Sequence, residues 1–312
     1  MKRLTIYPRG NLGNQMLQFG FAMNLKSQVP GLEVRGYDLP IWGLSAPVRR
    51  WRTRFAPSIR IQDPDVPSLA DLFNDGTLSY VKYRGVPLCV ESIGDRESLG
   101  LLFQCHNLQV DTAQEDEILI NVRGDEILKN THADYGPIPI AYYRQIIDET
   151  GLAPVFLGQL GGDYYSNLLR ESFPTARFIA SQGILKDFQA IRSAQHIVIS
   201  VSTFSWLAAF LSNAKTIHTP LLGFLNPDQR PDRWMLPNDP LYRFHKFPFR
   251  KWRATEQQIA ELSAKTVFDH ITTEKLMAAR TETNAERTSI RQSETTRLIR
   301  MKTLSKIASF VS

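Results

Sequence analysis

Two short motifs, about 190 residues apart, constrain this chain more than anything else in it. The first, Gly10-Asn11-Leu12-Gly13-Asn14-Gln15-Met16, follows a short strand-like stretch near the N-terminus. The second, Ser200-Val201-Ser202-Thr203-Phe204-Ser205-Trp206, lies where a β-like run changes into a helix-like one. Each is a bend rich in backbone N–H groups and small polar side chains, which suits a phosphate-bearing ligand. Each also has a plainer reading. Gly-x-x-Gly occurs in ordinary strand-to-helix turns, and Ser202 or Thr203 can simply cap the following helix.

The organisation around the second motif is regular. Strands are expected at 117–122, 153–157, 176–180, 196–201 and 216–218, and helices at 138–149, 164–171, 183–194 and 203–212. Short apolar runs alternating with helical segments indicate βαβ units on a parallel sheet. Near the N-terminus a strand at 4–7 precedes a helix at 14–26, with Met16, Phe19, Ala22 and Met23 on one face. Residues 30–110 hold many prolines and glycines and a basic aromatic stretch, Val48-Arg49-Arg50-Trp51-Arg52-Thr53-Arg54-Phe55, and few elements can be placed there. From 249 to 312 neither glycine nor proline occurs, and a helical tail in two or three pieces is expected. Ligands on open α/β sheets sit at the carboxyl ends of the strands. Segments 123–126, 158–162 and 202–205 share that edge, so Gly158 and Gln159 join the candidate site.

Arg123 follows a strand and precedes Gly124-Asp125. A guanidinium there suits a bidentate grip on diphosphate oxygens and would stabilise the charge that develops as a diphosphate departs. The alternative is an ion pair from Arg123 to Asp125 or Glu126. Asp125 itself reads as a loop-orienting residue. His132 and Asp134, in the loop beyond, are candidates for the general base toward an acceptor hydroxyl. Phe204 and Trp206 read as core residues. Asn226-Pro227-Asp228-Gln229 and Leu236-Pro237-Asn238-Asp239 read as turns.

Composition narrows the partners. A net charge of +6 favours anions, but 31 acidic residues interleave with 37 basic ones, so nucleic-acid binding is not specifically indicated. Two cysteines, Cys89 and Cys105, make neither a disulfide framework nor a metal knuckle. The first residues are too short for a signal peptide, and wholly apolar runs reach only about six residues, so nothing spans a bilayer and a soluble cytoplasmic protein is expected.

On these residues the chain resembles the alpha-1,2-fucosyltransferases, glycosyltransferase family eleven. Gly10–Met16 resembles that family's Gly-Gly-x-Gly-Asn-Gln-Met signature. Ser200–Trp206, continuing through Ala208-Ala209-Phe210-Leu211, is similar to its Ser-x-Ser-Ser/Thr-Phe-Ser-Trp-Trp-Ala-Ala-Trp-Leu segment. Val122–Asp125 is similar to the His-x-Arg-Arg-Gly-Asp segment shared across fucosyltransferases, and Asp187 precedes the strand at 196–201, where these proteins often carry an aspartate. The resemblance runs in order from about residue 4 to about residue 225.

It implies a GT-B-like α/β fold: two Rossmann-like domains facing a cleft, without metal, here as 1–115 on the acceptor side, 116–250 binding the nucleotide sugar, and a helical tail at 251–312. It implies inverting transfer from a GDP-sugar, GDP-fucose above all, to a glycan or lipid-linked glycan acceptor. Arg123 matches the family arginine next to Gly-Asp that grips the donor phosphates. Ser202, Thr203, Phe204 and Ser205 match the donor segment, and Gly10, Asn11, Gly13, Asn14 and Gln15 the loop of the opposite domain. Ile120 replaces the family histidine, Val122 its first arginine, and Asn11 its second glycine. These departures keep two alternatives open: a same-fold transferase using another donor, and a catalytically weak or dead binding relative. Leu298, Met301, Leu304, Ile307 and Val311, with Arg291, Arg297, Arg300, Lys302 and Lys306 around them, suit a basic helix on the inner membrane surface, a helix docked on its own domain, or a frayed end.

Overall fold

The computed structural model describes residues 2–48, 58–60, 64–105, 108–125, 127–129, 133–248, 251–281, 288–289, 291–293 and 296–297. The chain divides into two compact units. One comprises Met1–Gln104, Asp232–Leu236 and Arg280–Ser312; the other comprises Cys105–Pro231 and Pro237–Ala279.

The first unit runs β1 (Lys2–Ile6), α1 (Leu12–Gln28), β2 (Leu32–Arg35), β3 (Tyr37–Leu39), β4 (Leu44–Ala46), β5 (Ser58–Ile59), α2 (Val66–Asn74), β6 (Tyr80–Tyr83) and α3 (Arg96–Leu102). Its main sheet has the order β2-β1-β6-β5 and is parallel throughout; β3 and β4 form a separate antiparallel pair. Alternation along β1 sends Leu4 and Ile6 into a core with Phe21, Leu25, Phe73 and Tyr83, so α1 and α2 cover one sheet face. Helix α1 starts two residues before the expected 14, because the Asn11 carbonyl already accepts from the Asn14 and Gln15 amides. Residues 232–236 return to this unit, where Trp234 exchanges backbone hydrogen bonds with Leu88 and Val90.

The second unit runs β7 (Glu117–Val122), α4 (Ile140–Thr150), β8 (Ala153–Gly158), α5 (Tyr164–Ser172), β9 (Arg177–Ala180), α6 (Ile184–Ser193), β10 (His196–Val198), α7 (Thr203–Phe210), β11 (Thr216–Leu221), β12 (Tyr242–Lys246), α8 (Glu256–Glu261) and β13 (His270–Ile271). Sheet order is β13-β12-β11-β10-β7-β8-β9, parallel except for β13. Ile118, Leu119 and Ile120 are fully buried, as expected where helices cover both faces of a parallel sheet. The chain proceeds outward from β7 through β8 and β9, then crosses back to place β10 on the other side of β7. That reversal is a topological switch point, where the connections leave in opposite directions and a crevice opens above the strand ends.

Mixed α/β architecture with parallel sheets is therefore what the alternating pattern led one to expect. Differences fall at element ends. Strand β10 stops at Val198 rather than 201, because the chain leaves the β7 ladder to form the turn at Ser200–Ser202. Beyond residue 249 the chain is helical at Glu256–Glu261 and 273–281, but also adds β13 to the sheet edge. The basic stretch at 49–55 and the amphipathic residues from 298 onward lie outside the described residues. Among the described residues no helix is long and apolar enough to cross a membrane.

Candidate functional site

Arg123 leaves β7 at the switch point, and its Nη1 donates to the Val201 carbonyl beyond β10, at 2.7 Å. Asn121 braces the same junction from inside the sheet. Its Oδ1 accepts from Ser200 Oγ at 2.6 Å, and its Nδ2 donates to the Leu157 carbonyl at 3.2 Å. The third strand end is tied in by Gln159, whose amide donates to the Val122 carbonyl and whose Oε1 accepts from the Gly124 amide at 2.9 Å. Gly158 has φ +135°, and a Cβ there would lie 2.3 Å from the Val122 carbonyl oxygen. Only glycine permits this approach. Hydrogen bonds thus join Asn121, Arg123, Gly124, Gln159, Ser200 and Val201 at one sheet edge within this unit.

The loop beyond Arg123 closes over the same edge. Tyr135 sits with its ring 5.9 Å from the Arg123 guanidinium carbon and meets Phe224 edge-on. Gly223, at φ +60°, packs so tightly that a Cβ would lie within 3 Å of the Asp134 carbonyl, the Tyr135 ring and the Val201 side chain. Asp134 accepts from Arg230 at 3.1 Å and from Gln229 at 3.3 Å. The expected turn at 226–229 therefore holds the Asp134 carboxylate. Asp125 adopts φ +45° and pairs with Lys129 at 2.8 Å in an exposed position. Glu126 and His132 lie outside the described residues.

Helix α7 begins directly above this junction. Ser202 caps it, accepting from the Phe204 amide, while the Ser202 carbonyl accepts from the Trp206 amide. Thr203 is half-buried in the first turn. Ser205 is fully buried, with its hydroxyl at 3.1–3.3 Å from Ser200 Oγ and the Ser200 and Ser202 carbonyls. Its place in the motif is structural: it clamps the turn that aims the helix. Trp206 is core, stacked on Phe210, and Phe204 meets Phe188 edge-on. Asp187 accepts from the Gln182 amide at 2.7 Å and from Ser181 Oγ, and so closes the turn after β9.

Two cavities lie within this unit, the first of them at the junction. One of about 680 Å³ is lined by Asp125, Lys129, Gln159, Gly161, Gly162 and Tyr164 among others. The other, of about 480 Å³, is lined by Gly136, Leu222, Phe247, Trp252, Gln258 and Phe268 among others. Its wall at Gly136 and Leu222 directly adjoins Tyr135 and Gly223. Among the described residues no group of three or more His, Cys, Asp or Glu is placed to hold a metal ion.

The Gly10–Gln15 bend belongs to the first unit, at the carboxyl end of β1. Gly10 has φ +67° and faces Asn14, so closely that a Cβ would lie 2.2 Å from Asn14 Nδ2. Gln15 Nε2 donates to the Gly10 carbonyl. Gly10 and Asn11 are exposed, and Gly13 is buried. The bend is braced by Gln18, fully buried, which accepts from the Arg9 amide and donates to the Tyr7 and Gly85 carbonyls.

Sequence reasoning missed Asn121, Gln18, Tyr135 and Arg230. For Asn121 a signal existed: it is the one amide in an otherwise mostly apolar strand, where it must find buried partners. Tyr135 and Arg230 act through long-range contacts that no local pattern announces.

Comparisons with known proteins bear on this edge. Residues 167–230 match the model of glycosyl transferase family 11. That stretch holds Asp187, the Ser200–Ser205 turn, α7, Gly223 and Arg230. No curated protein matches the sequence. Among solved structures, a mutant of Arabidopsis thaliana FUT1 in complex with GDP has TM-score 0.41 and 15% identity, covering 69% of this chain and 70% of that one. Escherichia coli heptosyltransferase WaaC with ADP-2-deoxy-2-fluoro heptose has TM-score 0.44 and 11% identity, covering 90% and 99%. A glycosyl transferase family 9 protein from Veillonella parvula has TM-score 0.43 and 13% identity, covering 91% and 98%. Over the segment from 167 to 230, which carries the turn and helix at the switch point, the chain is similar to glycosyl transferase family 11.

Proposed function

We propose that the chain is an inverting, metal-independent transferase that moves fucose from GDP-fucose to a glycan or lipid-linked glycan hydroxyl. The observation that carries this reading is the Arg123–Val201 junction beneath the start of α7. A guanidinium suits a bidentate grip on diphosphate oxygens, and the first turn of a helix adds oriented N–H groups to the same point. Thr203 and the Ser202 cap complete the polar lining, while the cavity beside Asp125 and Gln159 gives room for part of the donor. As the bond to the anomeric carbon breaks, charge accumulates on the departing diphosphate, and Arg123 stabilises it without help from a cation.

Inversion in one displacement also needs a proton acceptor for the incoming hydroxyl. His132 and Asp134 are the candidates, the second held by Arg230 at the rim of the same edge. Asp125, Gly158, Gln159 and Asp187 shape the loops around the donor. The first unit, with Gly10, Asn11, Gly13, Asn14 and Gln15, serves the acceptor side. The experiment is a donor panel: GDP-fucose, other GDP-sugars and UDP-sugars are each tested for protection against heat and for transfer in the presence of a chelator. Protection by GDP-fucose alone supports the reading; protection by a UDP-sugar alone assigns another donor. Binding without transfer or hydrolysis of any donor fits the catalytically dead alternative.

A further inference from the structure

The first unit has a feature that donor binding leaves unused. Its sheet packs Leu4, Ile6, Val81 and Tyr83 against α1 and α2. Alternation therefore turns Thr5, Tyr7, Ser58, Lys82 and Arg84 to the opposite face. Register places Lys82 between Thr5 of β1 and Ser58 of β5. The backbone continues the ladder beyond the strand ends, with the Tyr7 amide donating to Tyr83 and the Arg84 amide to Ile59. There the Arg84 guanidinium lies over the Tyr7 ring, 4.6 Å from its centroid. A further guanidinium arrives at β5, where Arg297 donates to the Ser58 carbonyl.

Among the described residues this face carries cations with few carboxylates to meet them. Glu33 is committed to Arg3 at 2.7 Å and to Arg35. Lys82 is 5% exposed, and among the described residues it makes no ion pair or hydrogen bond. Burial pushes its ammonium below the ordinary lysine range; Tyr7 pulls it up and Arg84 pulls it down. Ser58 Oγ and Arg84 Nε are buried with no partner. A buried ammonium beside a half-buried guanidinium whose Nε is buried, with no counter-charge among the described residues, is costly, whereas a bound anion would satisfy both together. Lysine and arginine can only donate, so the group that completes the cluster must accept several hydrogen bonds at once.

We propose that Lys82, Arg84 and Ser58, beside Tyr7, bind an oxyanion, a carboxylate or a phosphate, carried by the acceptor. That it belongs to the acceptor rests on the glycosyl-transfer reading; the anion site itself does not. It narrows the acceptor to an acidic glycan or a phosphate-bearing glycan precursor, and it fits the basic excess of the chain.

The test titrates inorganic phosphate and, separately, glucuronate into the full chain, its Arg123→Ala variant, and its Lys82→Met and Arg84→Gln variants. Saturable binding of at least one anion is expected in the wild type and in Arg123→Ala, with at least a tenfold loss in both Lys82→Met and Arg84→Gln. Which anion binds tells the carboxylate source from the phosphate source. Lys82→Met is expected to melt no lower than the wild type without ligand, since it removes an uncompensated buried charge, and to keep its affinity for GDP. No saturable binding of either anion, or binding lost in Arg123→Ala and kept in Lys82→Met and Arg84→Gln, overturns the proposal. A GDP titration of the wild type reports separately on the donor reading, so the two can fail independently.

Discussion

Arg123 and Val201 lie 78 positions apart in sequence, yet the arginine Nη1 donates to the valine carbonyl over 2.7 Å. This bond spans the two strands between which the sheet reverses its order. It fixes a cationic side chain under the start of a helix, and the proposed chemistry depends on that placement. Replacing Arg123 by lysine keeps the charge but removes the planar fork that can hold Val201 and a ligand together. Arg123→Lys is expected to weaken GDP binding about tenfold, a loss of about 1.4 kcal/mol, measured by calorimetric titration. Equal affinity in this variant would remove the geometric part of the argument.

Gly158 and Gly162 offer a contrast within one loop. At Gly158, φ is +135° and a Cβ would lie 2.3 Å from the Val122 oxygen; at Gly162 nothing lies within 4 Å. Gly158→Ala should cost at least about 2 kcal/mol of stability in urea unfolding, through strain at the strand end. Gly162→Ala should leave stability within about 0.5 kcal/mol. If the two variants unfold alike, the strand-end packing is misjudged.

Ser205 and Thr203 should separate stability from binding. Ser205 is buried among Ser200 and Ser202, so Ser205→Ala should lower stability by about 1–2 kcal/mol while donor affinity changes little once folded. Thr203→Ala should weaken donor binding about three- to tenfold in the folded protein, in keeping with the loss of one hydrogen bond. Parallel melting and titration curves on both proteins decide it.

A buried histidine pair predicts the acid sensitivity of the second unit. His218 Nδ1 and His245 Nε2 lie 3.2 Å apart, and Arg243, His196 and His270 are the other cationic neighbours. Burial first, then the neighbouring histidine, holds His218 down at about 3; burial and His270 hold His245 at about 4. Because the folded values lie below the unfolded value of 6.5, protons favour the unfolded chain as pH falls. Stability from the pair is intact above about pH 6.5 and should decline by several kcal/mol toward pH 4. His245→Phe, which keeps a ring against Tyr142, should flatten that decline in melts taken from pH 7 to pH 4.5. An equally steep decline in the variant would assign the acid loss elsewhere.

Much of the second unit was legible because its strands are short apolar runs between helices, and their order sets which loops share an edge. The motifs at Arg123 and Ser202 could be placed for the same reason. Roles within a motif were harder to see. Ser205 looks like its neighbours in sequence, but helical spacing turns it into the core, whereas Ser202 stays at the cap. Asp134 reads as a free loop carboxylate until Arg230, 96 positions away, is folded against it. In the first unit, residues 30–110 gave little, since β2 to β6 are two to four residues long and too brief for a period to show. Lys82 hid there, a single cation in a four-residue strand.

The central claim is that Arg123 holds a nucleoside diphosphate at the switch point without a metal. Titration of GDP into the wild-type chain and into Arg123→Ala, both in excess chelator, tests it most directly. Measurable affinity in the wild type with a loss of about ten- to a hundredfold in the variant, the range for a charge-assisted hydrogen bond, is the predicted result. No binding by the wild type, or the same affinity in both proteins, would contradict it.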